Sequence, residues 1–187
     1  MSIAMIINFV TQNKGKVREF KQILEPKVRV KQLSIDYPEL RSDAPEEIAR
    51  LAAKQLADKL KRIIVVEDSG LFIKALNDFP GTCSAYIHKR IGLKGLLKLM
   101  KGVRNRNCEY RSAVGYCEPS KKPVSFLGKE KGKIAKKIKG THGFGHDPIF
   151  IPEGSKKTYG EMDDIEEVKK FRRRAVLKLV NYLKNQI

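Results

Sequence analysis

The stretch Ile63-Ile64-Val65-Val66-Glu67-Asp68-Ser69-Gly70 decides how this chain is read. Its four apolar residues suit a short buried strand, which then delivers two carboxylates and a hydroxyl to its own carboxyl end. Open α/β sheets bind ligands beyond that end of their strands. Carboxylates placed there hold a hard cation such as Mg²⁺, activate a water, or both. Acidic residues that merely solubilise a strand end are the competing reading.

Outward from this strand, the elements alternate in an α/β manner. Ile3 to Val10 reads as a first strand, and Val17, Phe20, Ile23 and Leu24 then share a helical face before Pro26 stops the helix. A second strand fits Val28 to Leu33. Asp43 followed by Glu46 spells a capping box for a helix carried by Ile48, Leu51, Ala52, Leu56 and Leu60. A further helix is expected from about Leu93 to Met100, and extended segments at Cys108 to Cys117 and Pro123 to Ala135, joined by a turn at Glu118-Pro119-Ser120. The final helix is expected over most of Asp163 to Asn185. No internal repeat, low-complexity tract or interdomain linker interrupts the chain, and its 187 residues suit a single domain.

Composition sets outer limits. A content of 41% hydrophobic and 32% charged residues is that of a soluble globular protein, with no segment of membrane-spanning length. Three cysteines, Cys83, Cys108 and Cys117, are an odd number without metal-ligand spacing, which argues against a disulfide framework or a zinc site and fits a cytoplasmic protein. The formal charge of +18 points to an anionic ligand. Lysines crowd the stretch from Lys121 to Lys139, but few aromatics interleave with them as a single-strand stacking surface requires, so a solvated hairpin is the favoured reading there and nucleic acid the lesser one.

Two further segments carry chemistry. The first strand ends in Thr11-Gln12-Asn13-Lys14-Gly15-Lys16, where a helix begins at once; its N-terminal N–H groups attract phosphate, and Lys16 adds a point charge. An ordinary turn capped by Asn13 is the alternative. No Walker motif is present: Gly128 to Gly132 is one residue too short between its glycines, and no Ser or Thr follows Lys133. The second segment is Gly140-Thr-His-Gly143-Phe144-Gly145-His146-Asp147-Pro148-Ile149-Phe150. Its glycines let the backbone approach a ligand, an aromatic offers a stacking face, and Asp147 accepts from ring N–H groups. Phe150 reads as core, while Phe144 fits either the core or a base.

Together these segments resemble the inosine/xanthosine triphosphate pyrophosphatase family, nearly end to end. The opening pattern Thr-x-Asn-x-x-Lys-x-x-Glu is met by Thr11, Asn13, Lys16 and Glu19, and a Pro-Glu pair by Pro38-Glu39. The Glu-Asp-Ser-Gly-Leu box is met by Glu67 to Leu71, followed by Phe79-Pro80-Gly81. The Gly-Phe-Gly-aromatic-Asp-Pro-Ile-Phe box is met by Gly143 to Phe150, with Thr158 and Glu161-Met162 beyond it.

The resemblance implies an α/β fold with a mixed central sheet flanked by helices, in two lobes with the active-site cleft between them. It implies hydrolysis of ITP, dITP and XTP between the α and β phosphates, giving monophosphate and pyrophosphate. It places Mg²⁺, with Mn²⁺ an alternative, on Glu39 and Asp68, makes Asp68 the base that activates water, and sets Ser69 and Lys54 against the substrate. Thr11, Gln12, Asn13, Lys14, Gly15 and Lys16 would receive the phosphates, and Phe144, Gly145, His146, Asp147 and Arg172 the base. Glu67 stays open between a metal ligand and a carboxylate behind the ligands. A homodimer is also implied.

The chain departs from that family in its last helix. Where the family has Ser-His-Arg, this sequence reads Lys170-Phe171-Arg172, and the family's preceding lysine has only Lys169 as a positional counterpart. Phe171 shares a helical stripe with Val168, Ala175, Leu179 and Tyr182, which favours core packing. His146 stands where the family usually has Tyr or Trp. Maf-like nucleotide pyrophosphatases are one alternative, although their opening motif usually carries Ser-x-Arg-Arg where this chain has Asn13 and Lys16. A basic nucleic-acid-binding protein on the same scaffold is the other.

Overall fold

In the computed structural model the described residues are 5–38, 40–165 and 169–186. The fold is mixed α/β. Strand β1 (Met5–Val10) runs into helix α1 (Lys14–Leu24), which returns the chain to β2 (Val28–Leu33), parallel to β1 with Met5 opposite Val28. Asn13 caps α1, as the alternative reading of this turn has it, its Oδ1 accepting from the Lys16 N–H at 3.1 Å. Helix α2 (Pro45–Leu60) then leads to β3 (Ile64–Ile73), parallel to β1 on its other side. Two crossovers of this kind are what the alternating pattern requires.

Asp43 does not cap α2. The helix starts at Pro45, whose missing N–H costs nothing there, and Ser42 bridges the turn by accepting from the Ala44 N–H at 3.2 Å and donating to Glu47 at 2.7 Å.

Strand β3 does not end at Val66 but continues through the acidic box to Ile73. The reason lies in its neighbours. β1 stops at Val10, opposite Val66, and the two-residue β4 (Pro80–Gly81) then pairs antiparallel with Leu71 and Phe72. Glu67, Asp68 and Ser69 therefore stand just past the carboxyl end of β1, in a stretch of β3 between two partners. Gly70 is demanded by this arrangement, since a Cβ there would lie 2.0 Å from the Gly81 carbonyl oxygen. Ser84 fastens the junction, accepting from the Leu71 N–H at 2.8 Å and donating to the Gly81 carbonyl at 2.7 Å.

Helix α3 (Ser84–Leu99) begins nine residues before the expected Leu93, because Gly92 breaks it with φ 61° and so hides its first half from a periodicity reading. β5 (Asn107–Cys117) and β6 (Val124–Ile134) follow, then the short β7 (Phe150–Pro152), antiparallel to β6. The seven-stranded sheet has the order β2-β1-β3-β5-β6-β7, with β4 off that path on β3. Of the final helix expected over most of Asp163 to Asn185, residues 166–168 lie outside the described residues; helix α4 occupies Lys170–Lys184, and Glu130 Oε2 accepts its Lys170 and Phe171 N–H groups at 2.9 and 3.2 Å.

The chain falls into two compact units. The first holds Met1–Asp68, Ser112–Gly128 and Arg172–Ile187; the second holds Ser69–Arg111 and Lys129–Phe171. In the first, Ile7, Phe9, Phe20, Val65, Val114 and Leu179 pack on one side of the strands and Val10, Ala53, Leu56, Ile64 and Val66 on the other. In the second, Leu71, Leu96, Tyr110, Phe150, Tyr159 and Phe171 form the core. Phe150 and Phe171 are thus core residues, as their patterns indicated. The three cysteines are free thiols. Among the described residues no helix is long and apolar enough to cross a membrane.

Candidate active site

Alternation along β3 separates the two acids. Side chains of a strand point to opposite faces in turn, so Glu67 follows Val65 and Asp68 follows Val66. Val65 belongs to the core cluster of α1 and α4, and Val66 to that of α2.

Glu67 is 5% exposed and saturated with partners. Its Oε1 accepts from Ser112 Oγ at 2.5 Å and Arg172 Nε at 3.1 Å, and its Oε2 pairs with Lys16 Nζ at 2.7 Å. Burial alone would raise its pKa, but the Arg172 and Lys16 charges outweigh it and hold the carboxyl at about 2. Arg172, 1% exposed, also ion-pairs with Glu19, and these two carboxylates raise its own pKa against the effect of burial. The guanidinium expected beside the base is therefore the centre of a buried ion network in the first unit. Glu67 is a braced carboxylate, one oxygen paired with Lys16 and the other with Arg172.

The Thr11 to Lys16 turn belongs to the same unit. Thr11 Oγ1 accepts from the Asn13 N–H at 3.1 Å, the Thr11 carbonyl accepts from Gln32 at 2.9 Å, and Gln12 donates to Asp36 at 2.5 Å. Gln12, Asn13 and Lys14 are exposed, with Gly15 and Lys16 half-buried. Lys16 Nζ also donates to the Glu67 carbonyl at 3.0 Å, so the start of α1 and the acidic box are tied together by one lysine. Lys54 lies on α2, in a 2.6 Å ion pair with Asp58 one turn on. Asp68 is half-buried. Glu39 lies outside the described residues.

A second cluster occupies the second unit. Asp147, 2% exposed, accepts from the Phe144 N–H at 2.7 Å and from Tyr110 Oη at 3.3 Å, and pairs with Lys169 Nζ at 2.8 Å. Lys169, itself 3% exposed, holds its ammonium 4.3 Å from the Phe144 ring centroid. Gly143 makes the turn possible with φ 77°, and a Cβ there would lie 2.2 Å from Asp147 Oδ2. Lys169 is the residue that spacing alone could not secure. The signal that finds it is the carboxylate it neutralises.

His146 is 5% exposed and meets the His88 ring edge-on at 5.1 Å between centroids. Burial, and then the His88 charge, lower its pKa to about 4 from an ordinary 6.5. Because the folded value is depressed, the unfolded chain binds the extra proton between these limits, and stability falls as pH drops from about 6.5 to about 4. Replacing His146 with Phe is expected to flatten that part of a melting-temperature profile; an unchanged slope would refute the assignment.

Thr158 and Glu161 serve architecture, in a capping box where the Thr158 N–H donates to Glu161 at 2.9 Å. The first cluster and Asp68 lie in one unit; Ser69 and the Phe144 to Asp147 turn lie in the other. No group of three or more His, Cys, Asp or Glu residues suited to a metal ion occurs among the described residues. Mg²⁺ does not require one, since it keeps several waters and takes one or two carboxylates plus substrate phosphates.

Comparison with known proteins identifies the family. The dITP/XTP pyrophosphatase of Methanopyrus kandleri is 47% identical over 185 residues, covering 98% of each chain. That of Thermococcus kodakarensis is 43% identical over 185 residues, covering 98% of this chain and 100% of its own. The structure of the Staphylococcus aureus Ham1 protein superposes with a TM-score of 0.83 at 28% identity, over 97% of this chain and 100% of that one. With residues 7–182 matching the Ham1 family pattern, the chain belongs to the Ham1 family.

Proposed function

We propose that this chain hydrolyses the deaminated purine nucleoside triphosphates ITP, dITP and XTP to monophosphate and pyrophosphate, removing them from the nucleotide pool of the cytoplasm. Relatives named dITP/XTP pyrophosphatase, matched over nearly their whole length, support the reaction class. The observation that carries the preference for these bases over adenine is the Asp147 and Lys169 pair beside Phe144. A purine with a carbonyl at position six and a protonated ring nitrogen beside it offers an acceptor to the ammonium and a donor to the carboxylate. Adenine presents the reverse and leaves both buried charges mismatched, which discriminates strongly. Phe144 supplies a stacking face.

In the phosphate half, Asp68 accepts the proton of the attacking water as its oxygen bonds to the α phosphorus, and the pyrophosphate group leaves with the electrons of the broken bond. The α1 N-terminus and Lys16 favour the negative charge gathering on that leaving group. Glu67, held ionised by Arg172, fixes Lys16 in place, so Arg172 acts as a positioning residue. Asp68 and Glu39 are carboxylates of the kind that hold Mg²⁺ or Mn²⁺, which when bound would supply Lewis-acid polarisation of the phosphates. Ser69 and Lys54 complete the substrate set. The single-domain organisation and the homodimer are part of the same reading, the latter checked by sedimentation equilibrium.

Incubation with ITP and Mg²⁺ is expected to yield IMP and pyrophosphate; IDP and phosphate would refute the cleavage site. Lys169→Met is expected to lower kcat/KM for ITP by about 10²-fold while changing that for ATP little, since a buried hydrogen bond to a charged group is worth roughly 1.5–3 kcal/mol. Equal losses for both substrates would remove Lys169 from base selection.

A further inference from the structure

The second unit carries a groove that the proposed reaction does not use. It encloses about 750 Å³ and is lined by Lys94, Lys98, Lys101, Arg104, Arg106 and Lys136, with no acidic residue among its described walls. None of these belongs to the candidate site. Arg106 is the buckle: its Nε donates to the Ile134 carbonyl at 2.6 Å, its Nη2 to the Ala135 carbonyl at 2.7 Å and its Nη1 to the Met100 carbonyl at 3.1 Å. The end of α3 and the segment after β6 are thereby held as two fixed walls. The other five cations are exposed.

Their arrangement is linear. Lys94 and Lys98 are one helical turn apart on α3, and Lys101 continues the row past the helix end. Seven residues at helical rise span on the order of 10 Å. One strand of a duplex places a phosphate every 3.4 Å or so along the axis, so such a row faces about three successive phosphates. Lysine is a compact point charge suited to contact with backbone phosphates, which carry no sequence information directly. The described walls of the groove offer no aromatic ring, and single strands are held by stacking.

We propose that this groove binds the sugar-phosphate backbone of double-stranded nucleic acid without sequence preference. The occupant is selected by its line of regularly spaced negative charge, which DNA and RNA duplexes share.

Fluorescence anisotropy tests this, using a labelled 20-base-pair DNA duplex, the matching RNA duplex and one DNA strand, with NaCl varied from 50 to 200 mM. The full chain is compared with Lys94→Gln/Lys98→Gln/Lys101→Gln and with Lys121→Gln/Lys122→Gln/Lys156→Gln, which removes equal charge from exposed lysines elsewhere. The expected result is binding of at least one duplex more tightly than the single strand. The groove variant should bind at least tenfold more weakly at 50 mM, with a salt slope shallower by roughly 2–3, the release expected for three lost contacts. The control variant should lose less than half as much, and both variants should hydrolyse ITP as the parent does. Absence of duplex binding at 50 mM, equal losses in both variants, or single-strand binding as tight as duplex binding would each overturn the proposal.

Discussion

Asp68→Asn is expected to lower kcat for ITP at least about 10²- to 10⁴-fold, the range lost when a positioned proton acceptor is removed, while leaving the melting temperature within a few degrees of the parent. The two halves of this expectation have separate causes. An amide accepts no proton from the attacking water and is a poor ligand for a hard cation, so the chemistry fails. Asn is nearly isosteric with Asp and sits at a half-buried position, so packing survives. Its neighbour gives the contrast. Glu67→Gln keeps Asp68, the proposed proton acceptor, but strips charge from the network of Lys16 and Arg172, and is expected to cost stability as well as turnover. Steady-state kinetics and calorimetry on both variants check this. More than a tenth of parental kcat in Asp68→Asn would move the base elsewhere.

Arg172→Leu is expected to cost roughly 3–5 kcal/mol, because breaking a buried ion network from one side leaves uncompensated charge behind. Glu19 and Glu67 are the carboxylates left behind, both at most 5% exposed. For a chain of this size that is roughly 6–20 °C in melting temperature. The pH dependence carries its own signature. In the parent, Glu67 has a folded pKa of about 2 against an ordinary 4.5, so its contribution is complete above the unfolded value and is lost as pH falls from about 4.5 to about 2. In the variant the strongest force depressing that pKa is gone, protonation relieves the buried charge, and the gap between the two proteins should narrow below about pH 4.5. A constant gap from pH 7 to pH 3 would show that Arg172 acts by packing alone. Arg172→Lys is expected to fall between them, retaining charge without the planar fork that reaches both carboxylates.

Much of this could be read from residue patterns. Asn13, Pro26 and the apolar face of Val17, Phe20 and Leu24 announced α1, and the β5 and β6 boundaries fell within one residue of Cys108 and Pro123. What resisted reading was set by tertiary partners. The end of β3 depended on Pro80 and Gly81 arriving beside Leu71, and the first half of α3 was masked by Gly92. The same holds for the site. Lys169 is only a positional counterpart until it meets Asp147, and Arg172, expected beside the base, shows its ion pairs only once Glu19 and Glu67 enclose it.

That enclosure has a consequence for the order in which the protein comes into being. Arg172 reaches Glu19 across 153 positions and Glu67 across 105. A chain growing from its amino terminus exposes both glutamates long before their arginine has been added, and the first unit cannot close until the residues from Arg172 onward have left the ribosome. Lys16, whose seat depends on Glu67, waits with them. The newly made protein should therefore seat the Thr11 to Lys16 turn only after Arg172 has been added, and chains cut short before Arg172 should remain catalytically silent.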